Sequence, residues 1–301
     1  MSPAWAIVIT VAAAGVAIAA ILIVRRHAPA GSYFADGDRA AGVFGVIATG
    51  FSVLLGLIVF LAFESYDQSR SGAEAEARLV AQQFETAQFL PVAVRRQLGD
   101  ELVCYARFVV SEWPRLASAA HDNTVDTANP WVVALFRTLK ITHPRTVVEQ
   151  TAYDKWLDRT ADREVARNDR IHGAVGVIPG TLWVVLFFIT AAIFVFMLFF
   201  ADSGERAVTQ ALMMGSVIAV ITATLLLIRF LDDPFRNGFG GLKPVAMERT
   251  LGILDKERRV VGDTGAPPCD ARGGGNPLTL LHDRKSQHED EPARQHRAGE
   301  A

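Results

Sequence analysis

The sequence predicts an all-α membrane protein: four transmembrane helices in two antiparallel hairpins, a helical extramembrane bundle between spans two and three, and a disordered C-terminal tail. Three observations lead there. Four separated runs of roughly twenty almost uncharged residues match the thickness of a bilayer core. The long region between the second and third runs repeats its apolar residues at helical steps. The chain beyond residue 260 turns to Gly, Pro, Arg, His and acidic residues, too few of them apolar to bury a core. Half of the 301 residues are apolar and 21% are charged, so the composition is segregated along the chain instead of averaged over it.

The apolar runs are Ala4–Val24, Gly42–Phe63, Leu182–Phe200 and Ala207–Ile228. At about 1.5 Å per residue, each crosses a hydrocarbon core of about 30 Å as a helix. The first run is read as an uncleaved span. Ala28, Pro29 and Ala30 offer a small-x-small sequence of the kind a signal peptidase accepts, but the run exceeds the apolar region of a leader and Arg25, Arg26 and His27 intervene. The resulting segments are hairpin one (1–63), the bundle (64–179), hairpin two (180–230), a juxtamembrane piece (231–259) and the tail (260–301).

Span two is expected to continue outward as a helix, because Ala73, Ala77, Val80, Phe84 and Ala87 recur at steps of four and three. Pro91 ends it. A second bundle helix carries Val94, Leu98, Leu102, Tyr105, Val109 and Trp113 along one stripe, with Pro114 closing it. The polar segment Ser118–Asn129 reads as a loop. Trp131, Leu135 and Leu139 mark a short third helix, and Pro144 separates it from a fourth that runs back to the membrane at Ile178 and Pro179. After span four, Asp232, Asp233 and Pro234 stop the helix, and an amphipathic piece around Pro244–Lys256 is expected to lie along the membrane surface.

A net charge of −2 gives no basic excess for nucleic acid. Cys104 and Cys269 stand far apart, without a CxxC or a His at ligand spacing, and are expected to be free thiols. The histidines are scattered, with no nucleophile and base at a recognisable spacing, so neither an enzyme nor a cofactor or metal site is indicated. The spans hold almost no ionisable residue, which lowers the prospects of a proton-coupled carrier while leaving a passive pore open.

Two sets of residues are candidates for function. Span two has a stripe of small residues, Gly45, Thr49, Ser52 and Gly56, preceded by Gly42; such a stripe either lets another helix approach closely or lines a narrow pathway at an oligomer axis. Ser216, Ala219 and Ala223 form a weaker face in span four. Arg163, Arg167 and Arg170, with Arg159, lie close to one face of the helix entering span three. They either pair with Asp67, Glu74 and Glu76 or form a basic collar for anions or acidic lipid headgroups. As exposed pairs they would contribute only about 0–1 kcal/mol each. In span two, Phe51 and Phe60 have no clustered aromatic neighbours in sequence.

Several residues in order carry a resemblance. They are Gly42–Ala48 (GVFGVIA), then Glu64, Tyr66 and Asp67, then Glu74 and Glu76, then Glu112, Trp113 and Pro114. Ile178, Pro179 and Trp183 follow, and then Leu231–Phe235 (LDDPF) with Gly238 and Pro244. Over residues 1–255 the chain resembles the bacterial bestrophin-like family of inner-membrane proteins. The resemblance implies four spans, a helical cytoplasmic region between the second and third, self-association and passive ion permeation. The alternative is a non-conducting scaffold or stress-related factor acting through its bundle. Counting Lys and Arg near the membrane also places the bundle and tail in the cytoplasm, although Arg25 and Arg26, directly after the first span, point the other way.

Overall fold

The computed structural model describes residues 3–29, 33–122, 129–263 and 265–275. All regular structure among them is helical: α1 (Pro3–Arg25), α2 (Gly37–Ala87), α3 (Val92–Asp122), α4 (Pro130–Lys140), α5 (Val147–His172), α6 (Gly180–Phe199), α7 (Ala207–Leu231) and α8 (Val245–Val260). Helices α1, α2, α6 and α7 are long and apolar enough to cross a membrane. Helices satisfy their own backbone hydrogen bonds, which a lipid-facing chain requires. Contacts divide the chain into two compact units, Met1–Asp67 with Val175–Gly241 and Gln68–Ala174 with Leu242–Ala301. Helix α2, 51 residues long, runs from the first into the second.

In the first unit, Phe51, Leu55 and Ile58 of α2 pack with Leu186 and Ile193 of α6 and with Ile221, Leu225 and Ile228 of α7. Ala17 and Ile21 of α1 pack on Met214 and Ile218 of α7. The contact is close at Gly215, where a Cβ would stand 2.8 Å from Ile18 Cδ1. Outward, large apolar side chains such as Val46, Phe188 and Val208 are exposed, as a lipid solvent demands. At one end, the Arg25 guanidinium donates to the carbonyls of Ser203 (3.1 Å) and Glu205, tying the two short linkers together.

The second unit is helical as expected, with four differences. Pro114 does not close α3 but sits inside it. Its missing N–H is tolerated because Trp113 and Leu116 on either side are buried, and Trp113 Nε1 donates to the Leu242 carbonyl at 2.8 Å. The helix therefore reaches into the polar segment expected as a loop; residues 123–128 of that segment lie outside the described residues. Helix α8, expected as an amphipathic piece at the membrane surface, turns its apolar stripe into this unit. Met247, Thr250, Leu254 and Arg258 form its buried stripe, and Thr250 Oγ1 donates to the Ala77 carbonyl at 3.0 Å. Finally, Cys104 and Cys269 are not free thiols: their sulfurs are bonded to each other.

That bond also changes the tail. Residues 265–275, expected to be disordered with the rest of 260–301, form a strap against α3 and α4. Trp131 Nε1 donates to the Gly273 carbonyl at 2.8 Å, and Arg107 Nη1 donates to the carbonyls of Cys269 and Asp270. Gly273 (φ +72) leaves no room for a Cβ against the backbone of Phe108 and Cys104. Residues 276–301 lie outside the described residues.

Replacing Gly215 by Leu should force α1 away from α7. The expected loss is about 1–3 kcal/mol, the usual cost of overpacking, read as a lower Tm of the detergent-purified protein. An unchanged Tm would show that the close approach is not needed.

Candidate functional site

The second unit encloses an ionic centre, built where α2 and α5 touch backbone to backbone. On α2, Ser69, Gly72, Glu76, Val80, Gln83 and Ala87 follow steps of three and four and share one face. A Cβ on Gly72 would lie 2.5 Å from the Arg170 amide nitrogen and 2.8 Å from the Ala166 carbonyl oxygen, so only glycine permits this approach. One turn on, Arg170 of α5 reaches across. Its Nε donates to Glu76 Oε2 at 2.5 Å and its Nη2 to Glu112 Oε1 of α3 at 2.8 Å, and all three side chains are essentially inaccessible to water. Tyr105 of α3 donates its hydroxyl to the other Glu76 oxygen at 2.5 Å.

The neighbouring turn repeats the pattern. Arg163 Nη1 donates to Gln83 Oε1 at 2.8 Å while the guanidinium covers the Tyr105 ring at 4.8 Å from its centroid. Gln83 Nε2 donates onward to Thr160 Oγ1 at 2.9 Å. Arg159 continues the row by donating to the Gln82 carbonyl and to Thr86 Oγ1. Helix α5 begins cleanly for a local reason: Thr146 and Glu149 form a reciprocal capping box just past Pro144.

Burial works against charge on Arg170, but Glu76 and Glu112 outweigh it and hold its pKa above the ordinary value. Burial pushes the Tyr105 hydroxyl well above its usual range, and the adjacent Glu76 adds to the effect. Burial also raises Glu112, against the pull of Arg170. Arg170 is therefore the fixed cation, and the Glu112 carboxyl holds its proton to higher pH than an exposed glutamate does. Chemically this is a lock between three helices. No group of three metal-binding side chains exists among the described residues.

The three arginines expected as a collar are thus divided. Arg163 and Arg170 have 0% side-chain exposure and point into the unit, whereas Arg167, 16% exposed, lies 4.0 Å from Glu164. Of the acids expected to meet them, Glu76 does so, while Glu74 is exposed and pairs with Arg70 on its own helix. The centre is buried, so the small value of an exposed pair does not apply to it. Gln83, Tyr105 and Glu112 were not recognised as members from sequence. The available signal was polar groups on stripes otherwise apolar: Tyr105 on the α3 stripe, and Glu112 one turn from Val109 beside Trp113.

The small-residue stripe belongs to the first unit. Thr49, Ser52 and Gly56 are exposed and Gly45 is partly so, about a third of a turn around α2 from the core face of Phe51, Leu55 and Ile58. A Cβ on Gly42, Gly45 or Gly56 would meet nothing within 4 Å. The chain's own helices leave this stripe uncovered. Phe51 is a core residue and Phe60 is 60% exposed, but Phe44 of α2 joins an aromatic cluster with Phe34, Phe196 and Phe200 that sequence spacing could not show. In the LDDPF segment, Asp232 Oδ1 accepts the amides of Val177 (2.9 Å) and Ile178 (3.1 Å), fixing the turn that leads into α6. Burial raises its pKa despite those bonds.

These features define a class: a four-span helical membrane protein whose second helical unit, made from the segment between spans two and three and the segment after span four, is locked by a buried ionic centre. The chain belongs to the bestrophin-like family, whose domain is matched over residues 10–245. Solved structures agree in fold. A variant of a bacterial bestrophin homologue from Klebsiella pneumoniae has a TM-score of 0.57 at 12% identity, covering 84% of this chain and 98% of that one. A second variant of the homologue from that organism gives 0.58 at 11% identity, covering 83% and 97%. A structure described only as a membrane protein gives 0.57 at 13%, covering 89% and 100%. No curated protein matches.

Truncating Glu76 to Ala leaves Arg170 buried with half its compensation and should cost about 3–5 kcal/mol, measured by unfolding of the purified protein. Glu112 gives a pH dependence of defined sign. Its folded pKa is raised, so the unfolded chain releases this proton first as pH rises; the stabilisation is full below the ordinary value of 4.5 and is lost as pH climbs through the raised one. Glu112→Gln should flatten that decline in a pH series of Tm, and an unaltered slope would remove Glu112 from the account.

Proposed function

We propose that the protein associates with copies of itself in a bacterial inner membrane, and that the assembly lets small ions, anions foremost, pass down their gradients without catalysing a reaction. The observation that carries this reading is the uncovered stripe Gly45, Thr49, Ser52 and Gly56. Small residues on a membrane helix let a second helix approach closely, or leave room for a pathway where several copies meet. Ser52 Oγ already donates to the Ala48 carbonyl at 2.8 Å, which keeps its lone pairs available on the open side. Membership of the bestrophin-like family supports the same reading, because the bestrophins that the sequence resembles are ion channels. The remainder of α2 is fixed by the core of the first unit, so the stripe is presented by a rigid element.

Anion preference in this reading draws on Arg167, which unlike Arg163 and Arg170 keeps some exposure to solvent. Anions or acidic headgroups would meet a positive field there. Reconstituting pure protein into liposomes with a chloride gradient tests the proposal. Wild-type protein should conduct. Gly56→Leu should abolish flux, either with the oligomer intact, if the stripe lines the pathway, or with the oligomer lost, if it is a subunit contact. An intact wild-type oligomer that passes no ion would overturn conduction and favour the scaffold alternative. Arg167→Glu should shift the reversal potential toward cations.

A further inference from the structure

The resemblance and the overall charge count place the helical unit in the cytoplasm, where thiols are kept reduced and disulfides are rare. The structure holds an observation that does not fit that placement. Cys104 on α3 and Cys269, which are 165 residues apart, are joined in a disulfide. These are the chain's two cysteines. The bond is part of a built feature. The strap 265–275 is also fixed by the Trp131 bond to Gly273, by Arg107, and by Asp270, whose Oδ1 accepts the amides of Arg272 and Gly274.

The charge pattern contains a second pointer. Basic residues in connections longer than about 60 residues weigh little in orientation. Arg70, Arg78, Arg163, Arg167 and Arg170 lie in such a connection and leave the count. What remains is Arg25, Arg26, Arg39 and Arg206 at the two short linkers against Arg229, Arg236, Lys243 and Arg249 at and beyond the end of α7, an even count. Arg25 and Arg26 adjoin the first span, whose flanks usually dominate. The short linkers are then the cytoplasmic ends.

We propose that residues 68–174 and the strap 265–275 lie on the extracytoplasmic side of the membrane, and that Cys104 and Cys269 form a native disulfide made there, which clamps the strap over α3 and α4. With four spans, the N-terminal end, the segment between spans two and three and the C-terminal segment share one side. The bond forms by thiol–disulfide exchange with an oxidised extracytoplasmic dithiol protein. The two thiols lose two protons and two electrons, and the donor's own disulfide is reduced to a dithiol. The inference does not depend on whether the assembly conducts ions.

The full-length protein in intact bacterial cells provides the test. Cells are treated first with N-ethylmaleimide to block free thiols, then with a membrane-impermeant phosphine reductant, then with maleimide-polyethylene glycol. The expected result is a gel shift corresponding to two added polymers, absent when the reductant is omitted and absent in the double variant C104S/C269S. Thiols already blocked before reduction would overturn the disulfide. A shift that requires prior permeabilisation of the inner membrane would overturn the placement. A second readout is independent of the cysteines: alkaline phosphatase fused after Ala301 should be active, and an inactive fusion beside a fluorescent cytoplasmic reporter at the same point would overturn the orientation.

Discussion

The second unit depends on one buried cation. Arg170 has 0% side-chain exposure, and a guanidinium moved from water into a protein interior without compensation is strongly disfavoured. It is compensated by Glu76 and Glu112, which arrive on two other helices, with the Tyr105 hydroxyl occupying the remaining oxygen of Glu76. This geometry requires α2 and α5 to approach at backbone distance, and Gly72 is what makes that distance available. Packing of apolar stripes alone would tolerate a range of helix rotations. A charge with two short, directional bonds does not, so the centre selects one register among the arrangements that the apolar faces permit.

The membrane unit is built by the opposite economy. Its spans carry little charge and its helices meet through apolar side chains, with Gly215 against Ile18 as a close approach of α7 to α1. Lipid cannot drive these helices together as water does, so shape complementarity has to supply the association. The small stripe of α2 has the same character but faces away from the chain's own helices.

Much of this was legible in sequence because bilayer thickness and helical periodicity impose strong one-dimensional signals. The four spans, the outward continuation of α2 and the short helix at Trp131 follow from run length and from steps of three and four. The ionic centre was only half legible. Arg163 and Arg170 stand on the same face as Arg167, and composition makes such a row look like a solvated edge; whether a charged residue points inward depends on which helix lies opposite. Pro114 reads as a stop because local propensity disfavours it inside a helix, and tertiary packing around Trp113 and Leu116 overrides that preference. The strap was missed for a related reason: a Gly- and Pro-rich segment cannot order itself, but a covalent bond to Cys104 and a tryptophan N–H can order it from outside. Pairing across 165 residues leaves no local trace.

The claim that the α2–α5 approach exists to seat Arg170 is tested most directly by a double-mutant cycle on unfolding free energy, combining Gly72→Ala with Arg170→Leu. If the methyl group acts by pulling Arg170 off its carboxylates, the two losses overlap, and the double variant should be more stable than their sum by at least about 1 kcal/mol. Strictly additive losses would mean that the close contact and the buried cation are independent, and the account would fail.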